Sequence, residues 1–181
     1  SLPHCMRQIY TKGKNMSIIE SNQLLTFKLG NETYGIQISK VREILTYPTV
    51  TPIPDASRWV KGVINLRGEV APVIDLRVRF NINNDPVYTN RTIIIAVKTQ
   101  DARMIGLVVD EVSDMENAEL DRLYPAPDMG TSIAPEYLKG LFKKEDKMIV
   151  ILDIDRILDK DEMQRLSRQS TETSNVHASS I

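Results

Sequence analysis

One cysteine, Cys5, and two histidines, His4 and His177, are all that the 181-residue chain has of those residue types. A lone thiol makes no intrachain disulfide and no cysteine-rich zinc site, and it suits a reducing compartment. Both histidines lie in polar terminal stretches, so Ser-His-Asp and Cys-His mechanisms have no well-placed base. Charge of one sign is missing too. Lys plus Arg number 23 against 24 Asp plus Glu, whereas a surface built mainly to hold nucleic acid needs a basic excess. Aromatics are only 6% of the chain and do not cluster among Lys and Arg as base-stacking surfaces require. The longest apolar runs, "TIIIAV" and "MIVIL", fall far short of the ~20 residues that span a bilayer. The opening "SLPHCMRQIYTKGKNM" lacks the apolar centre of a signal peptide. These absences predict a soluble, cytoplasmic protein that neither inserts into the membrane nor takes nucleic acid as a partner.

What is present is a chain 41% hydrophobic, enough for one domain or two small lobes with a real core. Residues 1–21 are polar and unpatterned and read as a flexible extension. Residues 169–181 form a polar tail without periodicity, expected to be disordered. Between them lies a weak internal repeat. "YGIQISKVREI" aligns with "IGLVVDEVSDM" on Gly35 and Gly106, matching Ile38 with Val109, Val41 with Val112, Glu43 with Asp114 and Ile44 with Met115. Further on, "WVKGVINL" at Trp59 matches "YLKGLFKK" at Tyr137, and an aspartate follows each block, Asp75 or Asp153. Two blocks in the same order predict two lobes of one fold within 22–168, at about 22–90 and 91–158. Asp159 with Glu162 reads as a capping box opening a short C-terminal helix over 159–168.

The lobes read as mainly β. "LLTFKLG", "TYGIQIS", "GVINL", "EVAPVIDL", "RTIIIAVKT", "RMIGLVVDEV" and "KMIVILDI" are short runs rich in Val, Ile and Thr, bounded by Gly, Asn and Pro. Such spacing predicts small antiparallel barrels. Pro72 inside one run predicts an edge strand or a bulge. "DLRVRF" and "DIDRIL" each read as a turn or two of helix.

The repeated aspartates, Asp75 and Asp153, invite a catalytic or metal reading. N-capping of the turn that follows each is the simpler role. A metal-dependent hydrolase would use Asp75, Asp110, Asp114 and Asp153. Gly62 and Gly140 read as positive-φ or tight-packing positions; "GVINLRGE" is no phosphate loop, since it lacks the Gly-Lys-Ser/Thr ending. Trp59 and Tyr137 read as core aromatics. No cofactor motif emerges. Arg67 is the open question. It sits at the tip of a predicted turn, Arg67-Gly68-Glu69, where glycine or a small polar residue would suffice. Two readings stay open: an ion pair with Glu43 that braces the surface, or bidentate donors offered to a partner.

"FKLGNETYGIQISKVREI" followed by "VKGVINLRGEVAPVIDLRVRF" resembles the CheW family of chemotaxis coupling proteins. The resemblance continues through "IGLVVDEVSDM", "YPAPDMG" and "EYLKGL", and covers roughly Gln23 to Leu166. It implies two intertwined five-stranded SH3-like β-barrel lobes with a hydrophobic seam. It implies a non-catalytic adaptor bridging the cytoplasmic tips of methyl-accepting chemotaxis receptors to the regulatory domain of the histidine kinase CheA, recruited to membrane receptor arrays. Carried over by residue, the receptor's helical hairpin would dock in a groove at Ile38, Val41, Glu43, Gly62, Arg67 and Val112. The kinase would meet Val50 and Val70, and the second barrel would offer an equivalent surface. The alternative within the family is the CheW-like part of a CheV-type protein.

Overall fold

The computed structural model describes residues 23–118, 123–125, 135–158, 162, 164 and 165. Ten strands carry nearly all of the regular structure among them. They are β1 (Gln23–Leu29), β2 (Glu32–Gln37), β3 (Val41–Thr46), β4 (Val60–Leu66), β5 (Glu69–Asp75), β6 (Ile93–Lys98), β7 (Met104–Val109), β8 (Glu111–Asn117), β9 (Leu138–Lys144) and β10 (Lys147–Leu152). One helical turn, α1 (Leu76–Arg79), follows β5.

The strands make two five-stranded sheets, ordered β8-β1-β2-β10-β9 and β3-β6-β7-β5-β4. Replacing each strand by the one five places along the chain turns the first order into the second, so the internal repeat is a spatial pseudo-twofold. Strands β1–β5 and β6–β10 are the units of that repeat, but neither set builds a sheet alone. The first sheet joins β1 and β2 to β8, β9 and β10; the second joins β6 and β7 to β3, β4 and β5. The fold is therefore two SH3-like β lobes that exchange strands. In each, one parallel pairing stitches the halves together: β2 with β10 and β7 with β5.

This exchange explains why the strands look so apolar. Ile94 and Ala96 of β6 pack with Ile64, Leu66 and Ala71 inside the second lobe. The intervening Ile95 and Val97 face a central cluster that also holds Phe27, Ile36 and Val150 of the first sheet. A strand buried on both faces reads as a continuous hydrophobic run, and each buried Ile contributes about 1.5–3 kcal/mol relative to exposure. Four rings cross the seam in a ladder, with centroids 6.2 Å (Phe27–Tyr34), 6.4 Å (Tyr34–Phe80) and 6.3 Å (Phe80–Tyr137) apart. Gly35 and Gly106 anchor the repeat because a Cβ at either would stand 3.1 or 3.0 Å from an isoleucine methyl.

Several local expectations need correction. β5 is an interior strand, so Pro72 lies neither at an edge nor at a bulge. Val63 opposite it spends both backbone groups on Thr51, which leaves Pro72 at a position that needs no N–H toward β4. The ladder with β7 begins only at Val73. β3, β8 and β9 were not legible as separate strands, since "VREILT", "EVSDMEN" and "LKGLFKK" carry charges that blur alternation. "DLRVRF" makes a single helical turn, whereas "DIDRIL" makes only turns and bends. Of the predicted C-terminal helix, Glu162, Gln164 and Arg165 are helical. Asp159, the rest of that helix, the 1–21 extension and the 169–181 tail lie outside the described residues.

Candidate docking surface

The hairpin β4–β5 closes with Leu66 opposite Glu69, leaving the two-residue loop Arg67-Gly68. Both centre residues have positive φ, 50° and 86°, as a type I′ hairpin turn requires. The Asn65 side-chain oxygen accepts from the Gly68 N–H at 3.0 Å and holds the loop. Arg67 is thrown outward, 78% exposed, with its Nε 3.8 Å from Oε2 of the partly buried Glu43. β3 and β4 are the two edges of one sheet, so this ion pair spans the lobe's open side. An exposed pair at that distance contributes only ~0–1 kcal/mol. It orients the guanidinium more than it stabilises the fold.

The other expected site residues divide by depth. Val41 and Val112 are each 6% exposed and belong to the central cluster. Ile38 is half-buried against that cluster, on the short 3-10 turn Ile38–Lys40 that leads into β3. Val70 is 45% exposed on β5, and Val50 packs partly buried against the second lobe's interior. Gly62 is buried, with φ of 144°; a Cβ there would stand 2.0 Å from the Thr51 carbonyl oxygen and 2.8 Å from Val50 Cγ1. Its absent side chain lets the Val50–Thr51 segment pair with Val63. Gly140 does the same beneath Tyr124. The structure thus joins Arg67 with Glu43 and Gly62 with Val50, and places Val41 and Val112 in one core cluster. Of these residues Arg67 and Val70 have the most exposed side chains, while Val41, Gly62 and Val112 are buried.

Beneath β5 lies a polar network that sequence reasoning missed. The fully buried Asp75 carboxylate accepts from the Arg77 backbone N–H at 2.9 Å, from Arg77 Nε at 3.0 Å and Nη2 at 2.9 Å, and from the Tyr88 hydroxyl. Arg77 Nη1 donates to Asp110 Oδ1 at 2.9 Å, and Asp110 Oδ2 accepts from the Gly30 N–H at 2.8 Å. Burial would lower the Arg77 pKa, but its bonds to Asp75 and Asp110 outweigh that and hold it above its ordinary value. Burial, and then Asp75, push the Tyr88 hydroxyl well up. Asp75 therefore caps α1 and clamps a cation. Asp153 takes the Asp155 N–H at 3.2 Å, capping a turn in the equivalent place. In the other half Asp155, which stands where Arg77 stands, pairs with Lys40 at 3.3 Å. Among the described residues, no group of three His, Cys, Asp or Glu is arranged to hold a metal ion.

The pseudo-twofold also reveals a second set of exposed positions. Met148, 44% exposed, stands where Val70 stands. Glu145, with φ of 57°, takes the place of Arg67. The signal was a spacing of 78 residues, already visible between Trp59 and Tyr137.

The CheW-like domain family matches residues 23–162. The chain belongs to that family. It is 41% identical over 141 residues to the chemotaxis protein CheW of Klebsiella aerogenes, covering 78% of this chain and 84% of that one. It is 30% identical over 151 residues to CheW of Treponema pallidum, covering 82% and 88%. The crystal structure of the scaffolding protein TtCheW from Thermoanaerobacter tengcongensis superposes with a TM-score of 0.69 at 29% identity, over 83% of this chain and 94% of that chain. CheW-like proteins are non-catalytic scaffolds of chemotaxis signalling, and this chain is one of them. Among the described residues no helix is long and apolar enough to cross a membrane.

Proposed function

We propose that the chain couples methyl-accepting chemotaxis receptors to the regulatory domain of the histidine kinase CheA, in the cytoplasm and on membrane receptor arrays. The observation that carries this reading is the Arg67 tip. A residue with a Cβ is held at positive φ and almost fully exposed, with a carboxylate that orients it and little stability to show for it. Arginine in that setting suits an anchor for another protein.

The receptor's helical hairpin lays an apolar face along Ile38, with Arg67 and Glu43 as polar contacts; Val41, Gly62 and Val112 set the contour beneath. The kinase domain docks on Val70 and Val50. Arg67 and Glu43 share one lobe with Val70 and Val50, so a single adaptor holds receptor and kinase in fixed relation, and a shift of one changes the restraint on the other.

The test is co-sedimentation of the full chain with a receptor signalling domain and CheA, with kinase activity as the readout. Arg67→Ala is expected to lower receptor affinity by at least about tenfold, the loss of one good anchor, while melting within a few degrees of the parent. Val70→Asp is expected to weaken kinase binding more than receptor binding. Undiminished receptor binding by a folded Arg67→Ala protein overturns the reading.

A further inference from the structure

Arg79 ends α1, and its side chain is 15% exposed. Its guanidinium lies 4.3 Å from the Trp59 ring centroid and 5.2 Å from that of Tyr137. These are the paired aromatics of the repeat, which lead into the edge strands β4 and β9. One cation therefore reaches both sheets. The repeat puts the buried Ile157 where Arg79 stands, so the other half supplies no second cation. Arg79 Nη2 donates to the Tyr137 hydroxyl at 2.9 Å and to the Ile157 carbonyl at 3.3 Å. It also meets both Glu162 carboxylate oxygens at 3.4 Å. Its Nε is shut off from water and has no acceptor among the described residues. Glu162 is helical, as are Gln164 and Arg165. Beside that turn the surface is hollow. Gln164 borders a cleft of about 650 Å³ whose walls include Gln100, Asp101, Arg103, Asp155 and Arg156.

We infer that the turn at Glu162 is a strap, which docks on Arg79 and lifts from it while the strands stay folded. Three features bring the docked and lifted states close in free energy. A carboxylate held by one nitrogen at 3.4 Å falls short of the parallel two-nitrogen fork, the strong form of this pair. The docked state keeps the Nε donor from water, which is costly without an acceptor, and lifting the strap lets water reach it. The cleft beside Gln164 stands where a packed face would hold the turn down. Elements with few buried contacts open at lower free energy than the whole fold. Docked, the strap joins the starts of β4 and β9 through one guanidinium and braces the lobes across the pseudo-twofold axis. Lifted, it leaves Arg79 to the two rings and the Ile157 carbonyl. Trp59 and Arg67 lie at opposite ends of β4, so the strap is separate from the Arg67 surface and does not depend on the role proposed for it.

The experiment is hydrogen exchange of the full chain by NMR, following the Arg79 Nε–H and the backbone amides of the central strands β2 and β7. Arg79 is expected to be protected at least about tenfold less than those amides, as local opening requires. Glu162→Gln keeps the shape of the side chain and removes its charge. It should lower Arg79 protection by at least about twofold, the scale of a partly exposed ion pair, and leave the β2 and β7 amides and the melting temperature unmoved. Molar sodium chloride should do the same to the parent chain and little to Glu162→Gln. Arg79 protection equal to that of the central amides would overturn the strap, as would unchanged Arg79 protection in Glu162→Gln. A loss shared by the β2 and β7 amides overturns it too, because the opening is then global. If Glu162→Gln fails to fold, the parent chain still decides: Arg79 protection insensitive to salt overturns the strap.

Discussion

Arg67 occupies a left-handed conformation, φ 50°, which costs a residue bearing a Cβ roughly 1 kcal/mol. Glycine would hold the same turn without that cost. Arg67→Gly is therefore expected to raise stability in urea unfolding by up to about 1 kcal/mol and to lose receptor coupling all the same. A mutant both more stable and less active separates the turn's structural need from its use. Asp75 and Arg77 behave oppositely. Arg77→Met leaves a buried carboxylate short of its counter-ion, and should cost about 3–5 kcal/mol in the same measurement. The buried tyrosines make stability fall at high pH. Burial, and then Glu32, lift Tyr34 to about 12, while an unfolded tyrosine releases its proton near 10. Between pH 10 and 12 the unfolded chain gives up that proton first. The contribution is complete below pH 10 and declines as pH rises through this window, by up to about 1.4 kcal/mol per pH unit for one group. Urea midpoints at pH 9, 10 and 11 should show the decline, and Tyr34→Phe should lessen it, the remainder coming from Tyr88. Of these residues, the Arg67–Glu43 pairing was legible in the sequence as one of two readings. The strain at Arg67 was not, because nothing in the letters Arg-Gly reports the sign of φ. Nor was the Asp75–Arg77–Asp110 clamp, whose members are brought together by strand pairing across 33 positions.

At the scale of elements, the repeat was readable where both halves needed glycine for want of space. Gly35 and Gly106 each lie under an isoleucine methyl, from β10 and β6 in turn, and Gly62 and Gly140 under an equivalent crossing carbonyl. Turn tips were not readable as equivalent, since a tip needs only a permissive backbone; Arg67 and Glu145 share a conformation but neither chemistry nor spelling. Gly62 supports a prediction of its own. A methyl group there meets the Thr51 carbonyl at 2.0 Å, so Gly62→Ala must push the Val50–Thr51 segment away from β4. The expected result is a loss of stability greater than about 1 kcal/mol, with amide shifts from Val50 through Val63 and weakened kinase binding. Chemical-shift mapping beside thermal melting checks it. Gly68, with no neighbour within 4 Å of its Cβ position, bears only the conformational cost, so Gly68→Ala should melt higher than Gly62→Ala.

For the whole molecule, strand exchange makes the halves interdependent. Residues 22–90 alone hold β1 and β2 without the three strands that complete their sheet, and β3, β4 and β5 without their centre. That fragment is expected to show no dispersed amide spectrum by itself. Mixed with 91–168 it should regain one, and the intact chain should unfold in a single transition because the central cluster draws on both sheets. The sequence carried the duplication as a weak repeat and the exchange only through the family resemblance; hydrophobic alternation records which faces are buried, not against which strand.

The same pairing bears on synthesis. Contacts this distant along the chain form slowly. β2 gains its parallel neighbour only when Ile149–Ile151 emerge, more than a hundred residues after β2 itself. Throughout that interval the growing polypeptide bears an unfinished β edge, the kind of surface on which nascent proteins stick to one another. Release of chains truncated before Ile149 is therefore expected to give aggregates where the full chain stays in solution.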